Sequence, residues 1–425
     1  MVDNQAPVNF FGGSPLNRLS WLRTSEHFLN AVVGSPATRW IVFKDGQLLF
    51  AAEPAEKKRS LARLTTTEVR PLLGTEPFFA QGQSDGELAE TGIPVLEAAR
   101  LRGPGIVFLG LHEPKSGASL ALPSSDFSAK TDAAAVAAKI EGTPYFSLDV
   151  SDLDGGTVDA VLQSTEAAKS GKSLSFLDAR SAMPSMDVFE GAIVAEGRAM
   201  VDWNARYKFC ASCGSPVYSL WAGWKLSCSS LLPWAQNQGR KPCATAVGLH
   251  NQAHPRTDAV VIMAVVNEAN DKILLGRNKK WPGRFYSTLA GFIEPGESFE
   301  DAVKRELWEE AGLKVWGVKY HSTQPWPFPA NLMVGFYAIA DDTLPTRTDL
   351  DNELEDARWY SREEIFSVLN DPTIRTTTDP FKPLDPSVPQ PPFRLPPITA
   401  IAGVLIRDWA DRKFVVTGAD GRSSL

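Results

Sequence analysis

Residues 291–313 read GFIEPGESFEDAVKRELWEEAGL, and this run restricts its own folding more tightly than any other part of the chain. Pro295 and Gly296 mark a turn. Ser298 followed by Asp301 resembles a capping box that opens a helix, with Asp standing where Glu or Gln is commoner. Phe299, Val303, Leu307 and Ala311 recur every four residues and predict a buried stripe along that helix. Gly312 then stands where a helix ends in the left-handed conformation that only glycine reaches cheaply.

Glu306 and Glu310 lie one helical turn apart with Glu309 beside them, so several carboxylates crowd one region of a short helix. Such crowding repels unless cations occupy it, and hard divalent ions such as Mg²⁺ or Mn²⁺ take oxygen ligands and bridge to phosphates. A merely solvated acidic face is the usual meaning of a charge run. It explains neither the two glycines nor the register of Gly291, Glu297, Arg305, Glu306, Leu307, Glu309, Glu310, Gly312 and Leu313, which average residue usage would match by chance on the order of 10⁻⁹ or below per starting position. The run resembles a complete Nudix box, which implies hydrolysis of a nucleoside diphosphate linked to another group.

With 425 residues, 43% of them hydrophobic, the chain is expected to form two or three globular domains. Its net charge of −7, from 43 basic against 50 acidic residues, provides no general attraction for nucleic acid or an anionic membrane. An anionic substrate must then be held locally, by metals and a few Arg or Lys. No run approaches 18 uninterrupted apolar residues, and MVDNQAPVNF lacks the basic-then-apolar layout of a secretory signal, so an intracellular, soluble protein without a membrane partner is expected. The terminal Ser423-Ser424-Leu425 resembles the peroxisomal Ser-Lys-Leu address with Ser424 in place of the basic residue, and a solvated tail explains it equally well.

All four cysteines fall in one window, Cys210, Cys213, Cys228 and Cys243. In a reducing compartment a set opening with CxxC reads as a tetrahedral zinc site sooner than as two disulfides. The second pair departs from the usual spacing through the insert Ser229–Pro242, which can loop out; zinc with one ligand replaced and free thiols are the competing readings. A closed four-thiolate shell leaves no position for water, so one structural Zn²⁺ serves folding here.

Around these landmarks the chain divides into residues 1–205, 206–250 (the cysteine module), 251–411 and a tail, 412–425. RWIVFKDGQLLF and GIVFLGL predict strands in the first part, Lys115–Lys139 a loop, and Asp187–Tyr207 a helix. In the third part DAVVIMAVV, KILLGR and LMVGFYAIA predict strands on either side of the box helix, and hence a mixed α/β sandwich. Asp371–Pro397 is too rich in proline for regular structure, and a last helix is expected from near Pro397 past Trp409.

Shortly after the box comes TQPWPFPANLM, Thr323–Met333, in which prolines alternate with Gln324, Trp326 and Phe328. Prolines stiffen the backbone and hold aromatic faces in place, which suits a stacking platform for a purine or nicotinamide ring, although a proline-rich loop packed on the core has the same composition.

QPWPFP following a Nudix box resembles the mark of the NADH pyrophosphatase family, whose usual form is SQPWPFPxSLM; Thr323 and Asn331 replace its two serines. The resemblance extends to a four-cysteine ribbon before an HPRxDP phrase, here His254, Pro255, Arg256 and Asp258 with Ala259 for the last proline, and to LNRLSWLR and LDARS in the first part. It implies an α+β protein in which a Nudix α/β/α sandwich with a mixed sheet follows a zinc ribbon and a Nudix-like N-terminal α/β domain. Carried over residue by residue, it implies ligation of two to three Mg²⁺ or Mn²⁺ by Glu306, Glu310, the Ala290 carbonyl and Glu353, with Glu355 as competitor for the last. It further implies substrate contact by His254, Ala290 and Ala402, and a dinucleotide pocket lined by Gln324, Pro325, Trp326, Pro327, Phe328, Pro329, Ala330 and Asn331. Arg305 and Glu297 are expected to form a supporting ion pair.

The implied reaction is hydrolysis of NADH or NAD⁺ to nicotinamide mononucleotide and AMP, with Glu309 or Glu310 accepting the water proton. Removal of NAD caps from RNA, and a homodimer, follow from the family alone. A Nudix enzyme for ADP-ribose or diadenosine compounds would share the box without needing QPWPFP, and a catalytically weak zinc-ribbon binding protein would not need the box intact. His27, His112, His250 and His321 have no spacing to Ser or Cys that suggests a catalytic triad.

Overall fold

The computed structural model describes residues 8–53, 59–74, 76–79, 103–113, 122–127, 130–232, 235, 239–247, 253–281, 283–351, 353–371 and 391–414. The chain forms two compact units, Ser14–Arg256 and Thr257–Leu425, and the second of them also takes in Met1–Gly13. The cysteine module therefore lies within the first unit, and the boundary expected at residue 206 is internal to it.

The Ser14–Arg256 unit is built on an eight-stranded sheet of β1 (Leu16–Asn17), β2 (Arg39–Lys44), β3 (Gln47–Ala52), β4 (Arg59–Leu61), β5 (Leu64–Thr65), β6 (Gly105–His112), β7 (Thr143–Asp149) and β8 (Ser173–Leu177). Their order is β1-β6-β7-β2-β3-β4, with β5 on β2 and β8 on β3. RWIVFK and QLLF form the expected strands because Asp45 and Gly46, both at positive φ, close a two-residue hairpin between them. A short helix, α1 (Thr66–Val69), follows β5, and the long helix expected before the cysteines is α2 (Val188–Arg206), capped by the Asp187 side chain on the Glu190 N–H. The Ser/Ala-rich stretch departs from the expected loop. Ala133–Ala137 is helical, because Asp132 caps the Ala135 N–H and alanine is the strongest helix former.

The second unit holds β11 (Asp258–Asn267), β12 (Lys272–Asn278), β13 (Leu289–Phe292), β14 (Val315–Trp326), β15 (Asn331–Ala340) and β16 (Leu354–Ser361), numbered after the cysteine hairpin β9 (Val217–Leu220) and β10 (Lys225–Cys228). Sheet order is β14-β15-β11-β12-β16, with β13 on β11; β11 and β15 run parallel and the other pairs antiparallel. Alternation along β11 divides the core in two. Val261, Met263 and Val265 pack with Ala302, Val303, Leu307 and Ala311 of the box helix α3 (Phe299–Ala311). Ile262, Ala264 and Val266 pack on the other face with Ile365 and Val368 of α4 (Arg362–Leu369) and Leu405, Ile406 and Trp409 of α5 (Ile401–Ala410). Two helical layers on a mixed sheet make the expected α/β/α sandwich. Within the proline-rich segment, residues 372–390 lie outside the described residues, as does Ser423-Ser424-Leu425.

The two units repeat one topology. In each, a central strand (β2, β11) pairs parallel with a later one (β7, β15), antiparallel with its hairpin partner (β3, β12), and antiparallel with a short strand (β5, β13) that precedes a helix, directly after β5 and through a six-residue turn after β13. The copies differ in that helix. α3 has thirteen residues and five acids, whereas α1 has four residues whose acid, Glu68, is spent on capping Thr65. Among the described residues, the acid-rich helix belongs to the second copy.

Candidate active site

The cap and the stop expected for the box helix are present in its backbone geometry. The Ser298 hydroxyl accepts from the Asp301 N–H and the Asp301 carboxylate accepts from the Ser298 N–H, which completes the capping box. Gly312 ends α3 at φ 67°. Of the predicted stripe, Val303, Leu307 and Ala311 are buried, but Phe299, in the first turn, is 41% exposed, its ring tilted against Phe336 at 6.0 Å.

Arg305 organises the acids. Its Nε and Nη2 reach both oxygens of Glu297 at 2.6 and 2.9 Å, Nη1 donates to Glu306 at 2.8 Å and Glu309 at 3.0 Å, and Nη2 also donates to the Phe292 carbonyl at 2.8 Å. This bidentate bond holds the Glu297 carboxyl down at about 2. The guanidinium thus ties the turn before α3, the end of β13 and the helix itself into one frame.

Glu306 and Glu310 are in the opposite electrostatic state. Burial raises the Glu306 carboxyl despite Arg305, with Glu309 and Glu353 adding to the rise. Glu310 is 3% exposed; burial raises it well above the ordinary range, and Glu353, Glu306 and Asp351 push it the same way. A hydrogen bond from the Ala290 backbone to Glu310 works against that rise. Glu310 is buried within the electrostatic reach of Glu353, Glu306 and Asp351, and carboxylate oxygens are the hard donors that divalent cations of the Mg²⁺ or Mn²⁺ kind take. Gly291 is required by the same packing: a Cβ there would sit 1.8 Å from the Glu306 Cδ. Pairing of β13 with β11, Gly291 opposite Val261, brings that backbone under the helix.

Glu353 enters from the turn before β16, where Asn278 Nδ2 donates to its Oε1 at 2.8 Å. Its competitor Glu355 is paired with Arg277 at 2.7 Å. Asp351 was missed by sequence reasoning, although the acid-rich phrase DLDNELED carries the signal.

The aromatic hairpin stands at the same end of the sheet. Register aligns Gln324, Met333, Val260 and Phe292 in one row across β14, β15, β11 and β13, so the hairpin lies three strand spacings, roughly 14 Å, from the box. Trp326 and Phe328 are half-buried and edge-on to each other at 5.2 Å, with Pro327 buried and Pro325, Pro329 and Ala330 half-buried around them. The Asn331 Oδ1 is buried with no hydrogen-bond partner. Gln324 differs from the expectation of a direct substrate contact. It is 1% exposed; both its N–H groups donate inward, to the carbonyls of Phe10 and Thr399, and its oxygen accepts from the Ile401 N–H. It therefore staples the hairpin to the start of α5, where Ala402 is buried in a first turn that has no side-chain cap. His254 belongs to the Ser14–Arg256 unit, where its ring lies on Trp221 at 5.4 Å and its Nδ1 is 3.3 Å from the Trp224 carbonyl.

A serine, histidine and aspartate do line up, which their sequence spacing did not suggest. His321 Nδ1 is 2.7 Å from Ser322 Oγ and Nε2 is 3.2 Å from Asp408. Ser322 is fully buried and its hydroxyl accepts from Asn9, so it cannot meet a substrate.

In the cysteine module the Sγ pairs Cys210–Cys243 and Cys213–Cys228 are 3.6 and 3.4 Å apart, all four lie within 4.8 Å of one another, and none forms a disulfide. Tetrahedral Zn–S bonds of ~2.3 Å demand sulfurs about 3.8 Å apart, so the four cysteines can hold a metal ion of that kind. Of the insert, Ser229–Leu231 forms a single helical turn after β10, and residues 233, 234 and 236–238 lie outside the described residues. Among the described residues no helix is long and apolar enough to cross a membrane.

The chain matches the NUDIX domain over residues 255–383 and the NADH pyrophosphatase-like rudimentary NUDIX domain over residues 37–203. It is 32% identical over 366 residues to the NAD-capped RNA hydrolase of Schizosaccharomyces pombe, covering 86% of each chain. Against the NAD-capped RNA hydrolase NPY1 of Saccharomyces cerevisiae it is 32% identical over 377 residues, covering 85% of this chain and 87% of the relative. Against the NAD-capped RNA hydrolase NUDT12 of Homo sapiens it is 40% identical over 221 residues, covering 52% of this chain and 42% of the relative.

Proposed function

Because the chain belongs to the Nudix hydrolases of the NADH pyrophosphatase-like kind, we propose that it hydrolyses the pyrophosphate bond of NADH and NAD⁺ to nicotinamide mononucleotide and AMP, and removes NAD caps from RNA by cutting the same bond. The observation that carries this reading is the pairing of a buried, mutually repelling carboxylate group with a rigid aromatic hairpin at one end of one sheet.

Glu306, Glu310 and Glu353, with the Ala290 backbone, are the residues that would hold Mg²⁺ or Mn²⁺. Such ions, when bound, neutralise the pyrophosphate oxygens and make water acidic enough to attack. The remaining work falls to the chain. Arg305 keeps Glu306 and Glu309 oriented and Glu297 ionised. Glu309, whose side chain is 46% exposed, accepts the proton of the attacking water; the bridging P–O bond breaks, and the second mononucleotide leaves. Trp326 and Phe328, half-buried on the hairpin, offer faces to a base.

Turnover of NADH, NAD⁺, ADP-ribose and NAD-capped RNA in ¹⁸O water, with products read by mass spectrometry, tests the proposal. Label in AMP or nicotinamide mononucleotide identifies the phosphorus attacked, and faster turnover of ADP-ribose than of either dinucleotide would overturn the substrate assignment. The same reading includes a structural zinc on the four cysteines, tested by metal content. It also includes a homodimer, tested by light scattering, and a peroxisomal address in Ser-Ser-Leu, tested by the location of a fluorescent fusion with and without the tripeptide.

A further inference from the structure

The segment Asn9–Gly12 stands over 300 residues from the QPWPFP hairpin in sequence and belongs to the same compact unit. It folds as a tight turn, with the Gly12 N–H donating to the Asn9 carbonyl at 2.9 Å. Three bonds fasten it to β14. Asn9 Nδ2 donates to Ser322 Oγ and to the Thr323 carbonyl, both at 2.9 Å, and the Phe10 carbonyl accepts from Gln324 Nε2 at 2.9 Å. Asn9 is 6% exposed, so these bonds are shielded from water and fix the turn firmly.

What the turn delivers is the ring of Phe11. That ring is 2% exposed and meets Trp326 edge-on at 6.1 Å and Phe328 edge-on at 6.2 Å, which closes a three-ring cluster. Phe11 does so from φ 72°, a left-handed conformation that a residue with a Cβ adopts only where its surroundings over-determine it. A residue needed only to fill a hydrophobic gap could do so without that strain. From that conformation the ring meets Phe10 at 4.7 Å as well as Trp326 and Phe328, both of which are half-buried.

We infer that Phe11, held by Asn9, is a positioning residue of the base-binding subsite: its ring fixes the tilt of Trp326 and Phe328 so that the flat heteroaromatic ring of a dinucleotide can stack on them. The inference rests on the functional reading above but concerns affinity, not bond cleavage. Loss of the ring should therefore weaken binding of the base while leaving the carboxylates and Arg305 unchanged. Phe11→Gly is the informative variant, since glycine relieves the strained φ and keeps the turn. Asn9→Ala loosens the anchor without touching the rings and serves as the second variant.

Binding of a fluorescent etheno-adenine NAD⁺ analogue to the full chain, measured without added divalent metal, reads the platform whether or not the protein turns NADH over. Expected are a Kd raised at least tenfold for Phe11→Gly and about threefold or more for Asn9→Ala, with Phe11→Tyr within twofold of wild type. For NADH turnover, KM should rise to match while kcat stays within threefold. An unchanged Kd in Phe11→Gly overturns the inference, as does a fall in kcat with KM unchanged. If wild type binds the analogue but does not hydrolyse NADH, the functional reading fails instead, and the Kd series still decides this one.

Discussion

Gly291→Ala allows the packing of the carboxylate centre to be tested by a change of sign. In wild type the new Cβ would stand 1.8 Å from Glu306 Cδ and 2.0 and 2.2 Å from its oxygens, where ordinary contact begins at 3.4 Å. The carboxylate must move by about 1.5 Å, which breaks its 2.8 Å bond from Arg305. A charge-assisted bond of this kind contributes roughly 1.5–3 kcal/mol. Against that, replacing glycine by alanine in a compatible strand conformation stabilises by about 0.4–1 kcal/mol through the unfolded chain. Wild type should therefore lose on the order of 1–2 kcal/mol, or about 2–4 °C in Tm per kcal/mol for a unit of this size. In a Glu306→Ala background all three clashing atoms are gone, and the same substitution should stabilise by about 0.4–1 kcal/mol. The assay is a double-mutant cycle by urea and thermal unfolding of metal-free protein, with kcat/KM for NADH measured on Gly291→Ala alone. Activity should fall on the order of 100-fold, the usual effect of a reacting group displaced by about 1 Å. If Gly291→Ala changes stability equally in both backgrounds, within about 0.5 kcal/mol, the Glu306 carboxylate is not what requires the glycine.

Other expectations follow from the same coordinates. Gln324→Ala leaves the Phe10 and Thr399 carbonyls and the Ile401 N–H without their partner, and at roughly 1–3 kcal/mol for each buried unpaired group it should lower the urea midpoint at unchanged m-value. Burial pushes the Glu196 carboxyl up to about 8 against the pull of Arg18 and Arg23. The folded state then binds that proton more tightly than the unfolded chain, so the stability it contributes is present below pH 4.5 and lost as pH rises towards 8. The Tm of Glu196→Gln should lack this decline, and an equal slope in both proteins contradicts the assignment. Cys213→Ser should cost the purified protein one equivalent of bound zinc by elemental analysis and lower its Tm; full zinc content in the variant would remove Cys213 from the ligand set. Glu310→Gln should reduce NADH hydrolysis at least 100-fold at saturating Mg²⁺, and activity within a few-fold of wild type would remove Glu310 from the metal site.

What the chain determines locally can be read from it directly. The helix over 299–311, its cap at Ser298 and its stop at Gly312 depend on dihedral preferences and hydrogen bonds within a few residues. The central strand of the second unit is legible for a related reason, since β11 is buried on both faces and reads as a near-continuous apolar run. Tertiary structure alone decided which acids act together. Four carboxylates look alike in sequence, yet Glu297 is ionised on Arg305, Glu310 is buried against the sheet, and Glu353 and Asp351 arrive from a turn some forty residues later. The fate of QPWPFP was decided in the same way: Gln324 became an internal staple, and the third ring of the aromatic cluster came from Phe11. Charge state and ring orientation depend on which groups lie within a few ångströms, and that is a property of chain crossings that no local pattern records.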